Sequence, residues 1–246
     1  MSTATAFDPV AARYDELWTN TPVGRAQREL VWRHIDPLFE KGDRVLDIGC
    51  GTGEDAAHLA ARGAAVHAID PSPAMVQAAL RRGGFTAGVL PAEGLSQLPS
   101  LYDGAISNFG ALNCVADLRA VARDLAHLVR PGGRVAICTI GRFCAWETLY
   151  YSARLQFGKA FRRLGGSAPS SLGITVHYPG VAGLAKAFGP SFELDRWLGI
   201  GLLVPPSYVR LAGPLVRLFA ALDRVLARLP LLRAMADHRL LIFVRK

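Results

Sequence analysis

VLDIGCGTGED, residues 45–55, is the stretch from which the organisation of the whole chain can be worked out. Branched aliphatic residues flank Asp47, and three glycines follow at alternate positions, Gly49, Gly51 and Gly53. The aliphatic run predicts a short buried strand, and the glycines predict a turn almost free of side chains. Either the glycines serve only a tight turn, or a ligand must approach this backbone closely.

Strand and helix patterns alternate on both sides of this stretch. The predicted strands lie at residues 44–48, 65–69, 86–90, 102–107 and 134–140, and two late ones at 192–197 and 239–245. The predicted helices lie at residues 25–38, 54–62, 73–82 and 117–129, with Ser72 as the N-cap of the third. Strands joined by single helices favour a parallel sheet covered by helices. The sequence therefore predicts an α/β fold: a seven-stranded, mostly parallel sheet with helices on both faces.

Composition argues against several classes of protein. The chain has no apolar run of about 18 residues that would span a membrane, and its first residues do not resemble a signal peptide, so a cytoplasmic location is expected. The cysteines show no metal-ligand spacing and are expected to be buried thiols: Cys50, Cys114, Cys138 and Cys144. The net charge is +8, but the arginines gather at 142–163 and 210–239. This distribution indicates local basic surfaces and argues against a nucleic-acid partner.

The residues around the glycine turn limit the ligand. A dinucleotide site requires glycine at the sixth position counted from Gly49, where this chain has Glu54, and no G-K-[ST] phosphate loop occurs. Asp70 ends the second predicted strand, and its carboxylate can accept hydrogen bonds from both hydroxyls of a ribose. Ligands of open parallel sheets bind at the carboxyl ends of the strands. A nucleoside carrying an amino acid fits these features.

Successive motifs resemble those of the class I S-adenosylmethionine-dependent methyltransferases. The motifs span residues 40–140 and read VLDIGCGTGED, AIDPSPAMVQAA, LYDGAISNFGALNCV and LAHLVRPGGRVAICTI. The N-terminal FDPVAARYDELW resembles the opening of ubiquinone/menaquinone-type small-molecule methyltransferases, in which a helix closes over the cofactor. The resemblance implies S-adenosyl-L-methionine as cofactor and a Rossmann-like methyltransferase fold. It also implies that the glycines contact the methionyl part, that Asp47 lies under its amino group and that Tyr14 closes the lid.

One motif departs from the family pattern. The family has Asp-Ala-x-x-Leu after the third strand, where the aspartate accepts a hydrogen bond from the adenine amino group, but this chain has PAEGL at residues 91–95. Either Glu93 replaces that acceptor beside the backbone of Ala92, or Glu93 is a solvated loop carboxylate. The full set of expected cofactor residues is Tyr14, Asp47, Gly49, Gly51, Gly53, Asp70, Pro71, Met75, Ala92, Glu93 and Asn108.

We expect one methyltransferase domain over residues 1–246 because the length and the 51% hydrophobic content fit one core. The expected parts are an N-terminal helical lid, a cofactor-binding core, a helical substrate cap inserted after the fifth strand, and final strands with an intervening amphipathic helix. These parts correspond to residues 1–40, 41–140, 141–190 and 191–246.

The methyl acceptor is expected to be a small, largely apolar metabolite. Residues 107–112, SNFGAL, lack the Asn/Asp-Pro-Pro stretch of enzymes that methylate nucleobase amines, and no acidic cluster predicts a metal. The cap supplies aromatic and basic residues that either contact the acceptor or only pack. Three cap residues are candidate general bases or structural residues, namely Glu147, His177 and Tyr178. The acceptor atom, whether oxygen, nitrogen or carbon, stays open.

The segment LVRLFAALDRVLARL, residues 215–229, has a leucine face and a basic face. Such a helix either packs outside the last two strands or lies on an anionic membrane. Two alternatives to the leading function follow: a lipid or isoprenoid-quinone methyltransferase, and a non-catalytic cofactor-binding or membrane-associated module.

Overall fold

The computed structural model describes residues 6–99, 101–209 and 211–246, and these residues form a domain around a central sheet. Within them the sheet has seven strands in the order β3-β2-β1-β4-β5-β9-β8. Their bounds are β1 Arg44–Ile48, β2 Ala65–Asp70, β3 Thr86–Val89, β4 Tyr102–Ser107, β5 Val129–Ile140, β8 Phe192–Ile200 and β9 His238–Arg245. The strands β1 to β5 pair in parallel, and β9 runs antiparallel between β5 and β8. The predicted seven-stranded, mostly parallel α/β fold is confirmed.

Helices cover both faces of this sheet. Their bounds are α1 Asp8–Ala11, α2 Pro22–Ile35, α3 Glu54–Ala61, α4 Pro73–Arg82, α5 Leu118–Leu128, α6 Ala145–Ser152, α7 Phe157–Ala160, α8 Val181–Phe188 and α9 Gly213–Leu226. One core packs Val31 and Ile35 of α2 against Ile242 of β9. A second core, on the other face, contains Leu125 of α5 and Phe188 of α8. Because both faces are covered, β1 and β9 are almost continuous runs of buried residues, most of them apolar.

Local capping explains where several helices begin. The Ser72 hydroxyl accepts a hydrogen bond from the backbone N–H of Met75, as predicted for the N-cap of α4. The Asp117 carboxylate accepts from the N–H groups of Arg119 and Ala120, so α5 begins one residue later than predicted. The predicted helix at 25–38 was shifted: α2 ends at Ile35, and Asp36–Leu38 forms a 3-10 turn around Pro37.

The insertion after β5 contains more than the predicted helices. After α6, α7 and a 3-10 turn, Arg162–Gly165, the strands β6 Ser167–Pro169 and β7 Thr175–His177 form an antiparallel hairpin separate from the main sheet. The sequence prediction placed only a loop in this region. Strands of three residues are too short to show a periodic pattern, which is why the hairpin was missed.

Helix α9 packs with a face that the sequence pattern did not single out. Its buried residues are Val216, Ala220 and Asp223, whereas Leu218 and Leu222 are exposed. The helix contacts α2, and the Asp223 carboxylate accepts hydrogen bonds from the backbone N–H groups of the segment before it, at Leu203 and Val204. The leucine face therefore points away from the domain. No helix among the described residues is both long and apolar enough to cross a membrane.

Candidate functional site

A cavity of about 320 Å³ opens at the carboxyl ends of β1, β2 and β4. This is the edge of an open parallel sheet at which ligands bind. Lid residues, strand ends and the hairpin loop all contribute to its lining, which comprises Phe7, Tyr14, Ile48, Gly49, Gly51, Asp70, Pro71, Met75, Pro91, Ala92, Glu93, Asn108, Phe109, Gly110, Ala111, Cys114, Val115, Ile140, Ser170, Ser171, Leu172, Ile174 and Val176.

The three positions of the β1 turn require glycine for different structural reasons. All three have positive φ, at 74° for Gly49, 54° for Gly51 and 80° for Gly53. A Cβ at Gly49 would lie 2.2 Å from Ala111 Cβ, and one at Gly53 would lie 2.7 Å from Phe85 Cζ. A Cβ at Gly51 would have no atom of a described residue within 4 Å, apart from its two chain neighbours, because Gly51 faces the cavity. Close packing therefore explains Gly49 and Gly53, and only Gly51 leaves space that a ligand could use.

Asp70 joins the β1 turn to the end of β2. Its Oδ2 accepts a hydrogen bond of 2.9 Å from Gly51 N–H, and its Oδ1 accepts one of 2.9 Å from Ser72 N–H. Burial raises the pKa of this carboxyl above its usual value, although the two backbone donors oppose that shift. Each carboxylate oxygen has a second lone pair, so Asp70 can also accept hydrogen bonds from a ligand in the cavity.

Two buried polar side chains have unpaired polar atoms: Asn108, which lines the cavity, and Asp47, which precedes the lining residue Ile48 in the sequence. Within the described part of the chain, Asp47 Oδ2 has no hydrogen-bond partner, and neither do Oδ1 and Nδ2 of Asn108. Burial first, and then the negative charge of Asp55, hold the pKa of Asp47 well above its usual range. Buried polar atoms are normally satisfied, and a ligand can satisfy these three: the two oxygens can accept from a polar or cationic group, and Asn108 Nδ2 can donate to an acceptor.

The N-terminal segment closes one side of the cavity. Tyr14 lines it, and burial raises the pKa of this phenol to about 12. Asp15, just after Tyr14, accepts hydrogen bonds from Thr52 Oγ1 in the β1 turn and from Arg82 at the end of α4. The segment around Tyr14 and Asp15 thus folds onto this edge of the sheet. Residues 1–5 of the predicted lid lie outside the described residues.

Phe109 forms the wall between the lid and the rest of the cavity. It follows β4 with φ at +52°, which is unusual for a non-glycine residue. Its ring packs edge-on against Trp18 at 4.7 Å and against His238 at 5.4 Å, between ring centroids. This strained conformation is held by aromatic neighbours on both sides, and it keeps the ring at the cavity.

Most of the predicted cofactor residues meet in this one cavity. Those that line it are Tyr14, Gly49, Gly51, Asp70, Pro71, Met75, Ala92, Glu93 and Asn108. Asp47 is buried, precedes the lining residue Ile48 in the sequence, and is not itself a lining residue. Gly53 does not line the cavity. It stands just before α3 and packs against Ala79 of α4 and against Phe85.

The three candidate bases do not line the cavity. Glu147 is only 1% exposed, and its carboxylate accepts hydrogen bonds from the guanidinium groups of Arg162 and Arg163 and from the Tyr208 hydroxyl. Burial alone would raise the pKa of Glu147, but the two arginines lower it below its usual value. A carboxylate held in this way is a weak base, so the structure argues against a catalytic role.

His177 and Tyr178 belong to the end of the hairpin. The backbone carbonyl of His177 accepts a hydrogen bond from Asn113 Nδ2, and the backbone N–H of Tyr178 donates to Gly166. Burial raises the pKa of the Tyr178 phenol. Both residues anchor the hairpin to the rest of the chain, and neither is among the cavity residues.

Sequence reasoning missed the far end of the cavity. Phe7 was within the quoted N-terminal stretch, and Phe109 follows the end of β4, so their positions gave a signal that was not used. The residues of the hairpin gave no such signal in the sequence, because the hairpin itself was not predicted. The residues missed in this end are Cys114, Val115, Ile140, Ser170, Ser171, Leu172, Ile174 and Val176. Among the described residues no cluster of histidine, cysteine, aspartate and glutamate could hold a metal ion.

Comparison with known proteins identifies the family. The family model described as a methyltransferase domain matches residues 23–175, which is more than half of the chain. The chain belongs to the S-adenosylmethionine-dependent methyltransferases. The expected family, enzyme class and cofactor are thereby confirmed.

Curated relatives of this methyltransferase include demethylmenaquinone methyltransferases. One from Mycobacterium sp. (strain KMS) is 34% identical over 79% of this chain and 86% of its own. Another, from Clavibacter sepedonicus, is 35% identical over 54% of this chain, which spans only 55% of that relative. A crystal structure of an S-adenosylmethionine-dependent methyltransferase from Mesorhizobium loti has a TM-score of 0.60, with 20% identity over 88% of this chain and 98% of its own. The last similarity supports the fold alone.

Replacing Asp70 tests the ribose-binding hypothesis. We expect Asp70→Asn to weaken S-adenosylhomocysteine binding by roughly 1.5–3 kcal/mol, because a hydrogen bond to a charged acceptor contributes about that much. Calorimetric titration measures the change. The matched control is Asp103→Asn, because Asp103 accepts from Arg44 N–H and pairs with Arg130 at the opposite edge of the sheet. Unchanged affinity in a folded Asp70→Asn protein would remove Asp70 from the site.

Asp47 should make cofactor binding depend on pH. Its raised pKa means that the free protein retains this proton to higher pH, and a cationic ligand amino group favours the carboxylate, so binding releases a proton. Affinity should therefore increase as the pH rises from about 4 towards 7, below the usual α-amino pKa of about 7.7. The same raised pKa makes the Asp47 contribution to stability decrease as the pH rises above its unfolded value.

Calorimetry in buffers of different ionisation enthalpy measures that proton release. Asp47→Asn should flatten the pH dependence and abolish most of the release, while the Asp70 carboxyl is retained in both proteins. An equally steep pH dependence in Asp47→Asn would show that another group binds the proton.

Proposed function

We propose that this methyltransferase transfers the methyl group of S-adenosylmethionine to a small, largely apolar metabolite by in-line displacement. The observation that carries the proposal is the continuity of the cavity, which runs from Asp70 and Glu93 to an end lined by Ile140, Leu172 and Ile174. The first end fits the polar cofactor. The second offers an acceptor mainly aliphatic side chains, with Ser170 and Ser171 as its polar residues.

When bound, the cofactor supplies an activated methyl group on a sulfonium centre. The protein contributes alignment and exclusion of water. In our proposal Gly51 and Asp70 orient the nucleoside, Asp47 and Asn108 bind its amino-acid part, and Tyr14 with the other lid residues covers it. Phe109 and the hairpin loop then hold the acceptor against the methyl group.

The proposed acceptor does not depend on a protein base. Of the lining residues with titratable side chains, Asp70 and Glu93 belong to the cofactor end, and burial raises the pKa of the Cys114 thiol to about 11 and that of the Tyr14 phenol to about 12. Neither of these latter groups is ionised near neutral pH. The favoured acceptors are therefore those that reach the cavity already nucleophilic, such as an acidic phenol that is ionised near neutral pH or a stabilised carbanion.

Isoprenoid quinone precursors are a second candidate class within this proposal. The curated relatives named above are demethylmenaquinone methyltransferases, and the apolar end of the cavity is compatible with an aromatic ring.

Labelled cofactor and a panel of acceptors test the proposal. The panel should contain apolar phenols, a demethylmenaquinol with a short prenyl tail, and a water-soluble catechol and amine. We expect label in the apolar products. Leu172→Glu, in the exposed hairpin turn, should abolish transfer and leave S-adenosylhomocysteine affinity unchanged, whereas the control Leu172→Met should retain both. Label in the water-soluble products alone would overturn the proposal, and no product from any acceptor would favour a non-catalytic cofactor-binding module.

A further inference from the structure

Helix α9 and the turn that follows it present a row of apolar side chains that the fold does not use. We call it the leucine stripe. Its members follow each other at alternating intervals of three and four residues, are between 38% and 66% exposed, and are Leu215, Leu218, Leu222, Val225 and Leu229. That spacing places the first four along one side of α9, and Leu229 lies in the turn just beyond its end. Contiguous exposed apolar rows of this kind mark interaction surfaces.

The domain itself does not require the leucine stripe. The opposite side of α9 already packs on the body through Val216 and Ala220, and Ala227 is buried just after the helix ends. The buried Asp223 carboxylate fastens the helix to the preceding segment through two backbone hydrogen bonds. The stripe can therefore be altered without opening the core.

A row of cations runs beside the leucine stripe. Arg217, Arg224 and Arg228 are all exposed. At 100° per residue they lie between the packed face and the stripe. The only acidic residue between positions 213 and 229 is Asp223, whose side chain is buried. This surface therefore combines apolar side chains and positive charge with no exposed carboxylate of its own.

These charges decide which occupant fits. A second copy of the chain, placed stripe against stripe, would bring two arginine rows close together without acidic partners on either helix, and like charges repel. An anionic phospholipid surface offers hydrocarbon to the leucines and phosphate oxygens to the guanidinium groups. We propose that α9 docks the protein on an anionic membrane, with the leucine stripe in the boundary between acyl chains and headgroups.

The proposal is independent of the acceptor, since it requires neither cofactor binding nor methyl transfer. Another apolar surface on the cap must be distinguished from it. That cap surface contains the exposed residues Leu155 and Phe157 near Arg154 and Lys159. Variants of the two surfaces therefore serve as mutual controls.

Co-sedimentation with vesicles tests the proposal. The full chain is mixed with vesicles of phosphatidylcholine alone, or of phosphatidylcholine with phosphatidylglycerol, at low and at physiological salt. We expect binding only to the anionic vesicles, and weaker binding as salt shortens the screening length to about 8 Å. Changing Arg217, Arg224 and Arg228 together to Gln should weaken binding by about a hundredfold. Each single change should weaken it by roughly tenfold or less.

The leucine stripe is tested by Leu218→Ser with Val225→Ser, and the cap control is Leu155→Ser with Phe157→Ser. The first pair should reduce binding by at least about tenfold, which corresponds to the loss of two partly inserted apolar side chains. The second pair should leave it unchanged. Melting temperature and S-adenosylhomocysteine affinity are measured for each variant, so that a folding defect or a failed cofactor site is seen separately.

Three results would overturn the proposal. One is equal binding of the wild-type protein to neutral and anionic vesicles, or none to either. Another is a loss of binding in the cap variant but not in the stripe variant. The third is a concentration-dependent dimer that Leu218→Ser with Val225→Ser abolishes, because a second copy would then cover the stripe.

Discussion

Gly51→Leu should weaken S-adenosylhomocysteine binding by more than about a hundredfold, or roughly 2.7 kcal/mol. Apart from its two chain neighbours, no described residue has an atom within 4 Å of the point where the side chain would start, so the side chain would occupy the cavity. The same space is needed by a ligand held between the β1 turn and Asp70. A leucine at φ +54° also strains the backbone by about 1–2 kcal/mol, so the protein should stay folded with a modestly lower melting temperature.

Gly132→Leu is the matched control for this experiment. Gly132 also has positive φ, at 78°, and a Cβ there would meet nothing within 4 Å, but it lies far from the cavity in the turn region of β5. It should lower the melting temperature to a similar extent and leave S-adenosylhomocysteine affinity unchanged. If Gly51→Leu bound the ligand as tightly as Gly132→Leu does, the glycine would serve only the turn.

Glu147→Gln should lower the free energy of unfolding by about 3 kcal/mol. Removing one partner of a buried ion pair costs about 3–5 kcal/mol, and the lower end applies because Arg163 also pairs with Asp237. For a chain of this length the melting temperature should fall by about 6–12 °C. Because the folded pKa of Glu147 is lowered, this stabilisation is present above the unfolded pKa of about 4.3 and is lost as the pH falls through the folded value.

Glu16→Gln is the comparison for Glu147→Gln. Glu16 pairs with Arg13 on the surface, with both side chains more than half exposed, so its replacement should change stability by less than about 1 kcal/mol. Below the melting temperature, Glu147→Gln should retain S-adenosylhomocysteine affinity. A stable Glu147→Gln protein that binds cofactor but no longer transfers methyl would restore Glu147 as the base.

The sequence predicted the sheet well because its central strands are buried on both faces. Residues 44–48 and 102–107 form β1 and β4 with the predicted bounds. Strand ends were less accurate where pairing, not hydrophobicity, sets the limit: β8 continues to Ile200 because it remains paired with β9 as far as His238. Local periodicity carries no information about a partner strand that is distant in the chain.

The cofactor end of the cavity could be predicted to a greater extent than the acceptor end. The motif residues follow the strand ends, so the topology of a parallel sheet brings Gly51, Asp70 and Asn108 together. The acceptor end depends on how an insertion folds back, and that is decided by contacts such as the Asn113 amide on the His177 carbonyl. Glu147 was a reasonable candidate as an isolated acidic residue, but two arginines fifteen and sixteen positions later in the chain occupy its oxygens.

The hairpin of β6 and β7 has a consequence for how such a chain can change over time. In the part of the chain that the structure describes, its two strands pair only with each other, and its loop forms one wall of the cavity without belonging to the main sheet. Substitutions at residues 170–172 can therefore accumulate without altering the register of any central strand or the turn after β1. Acceptor preference can diversify in this loop, or be redesigned by grafting another loop, while the cofactor frame is inherited unchanged.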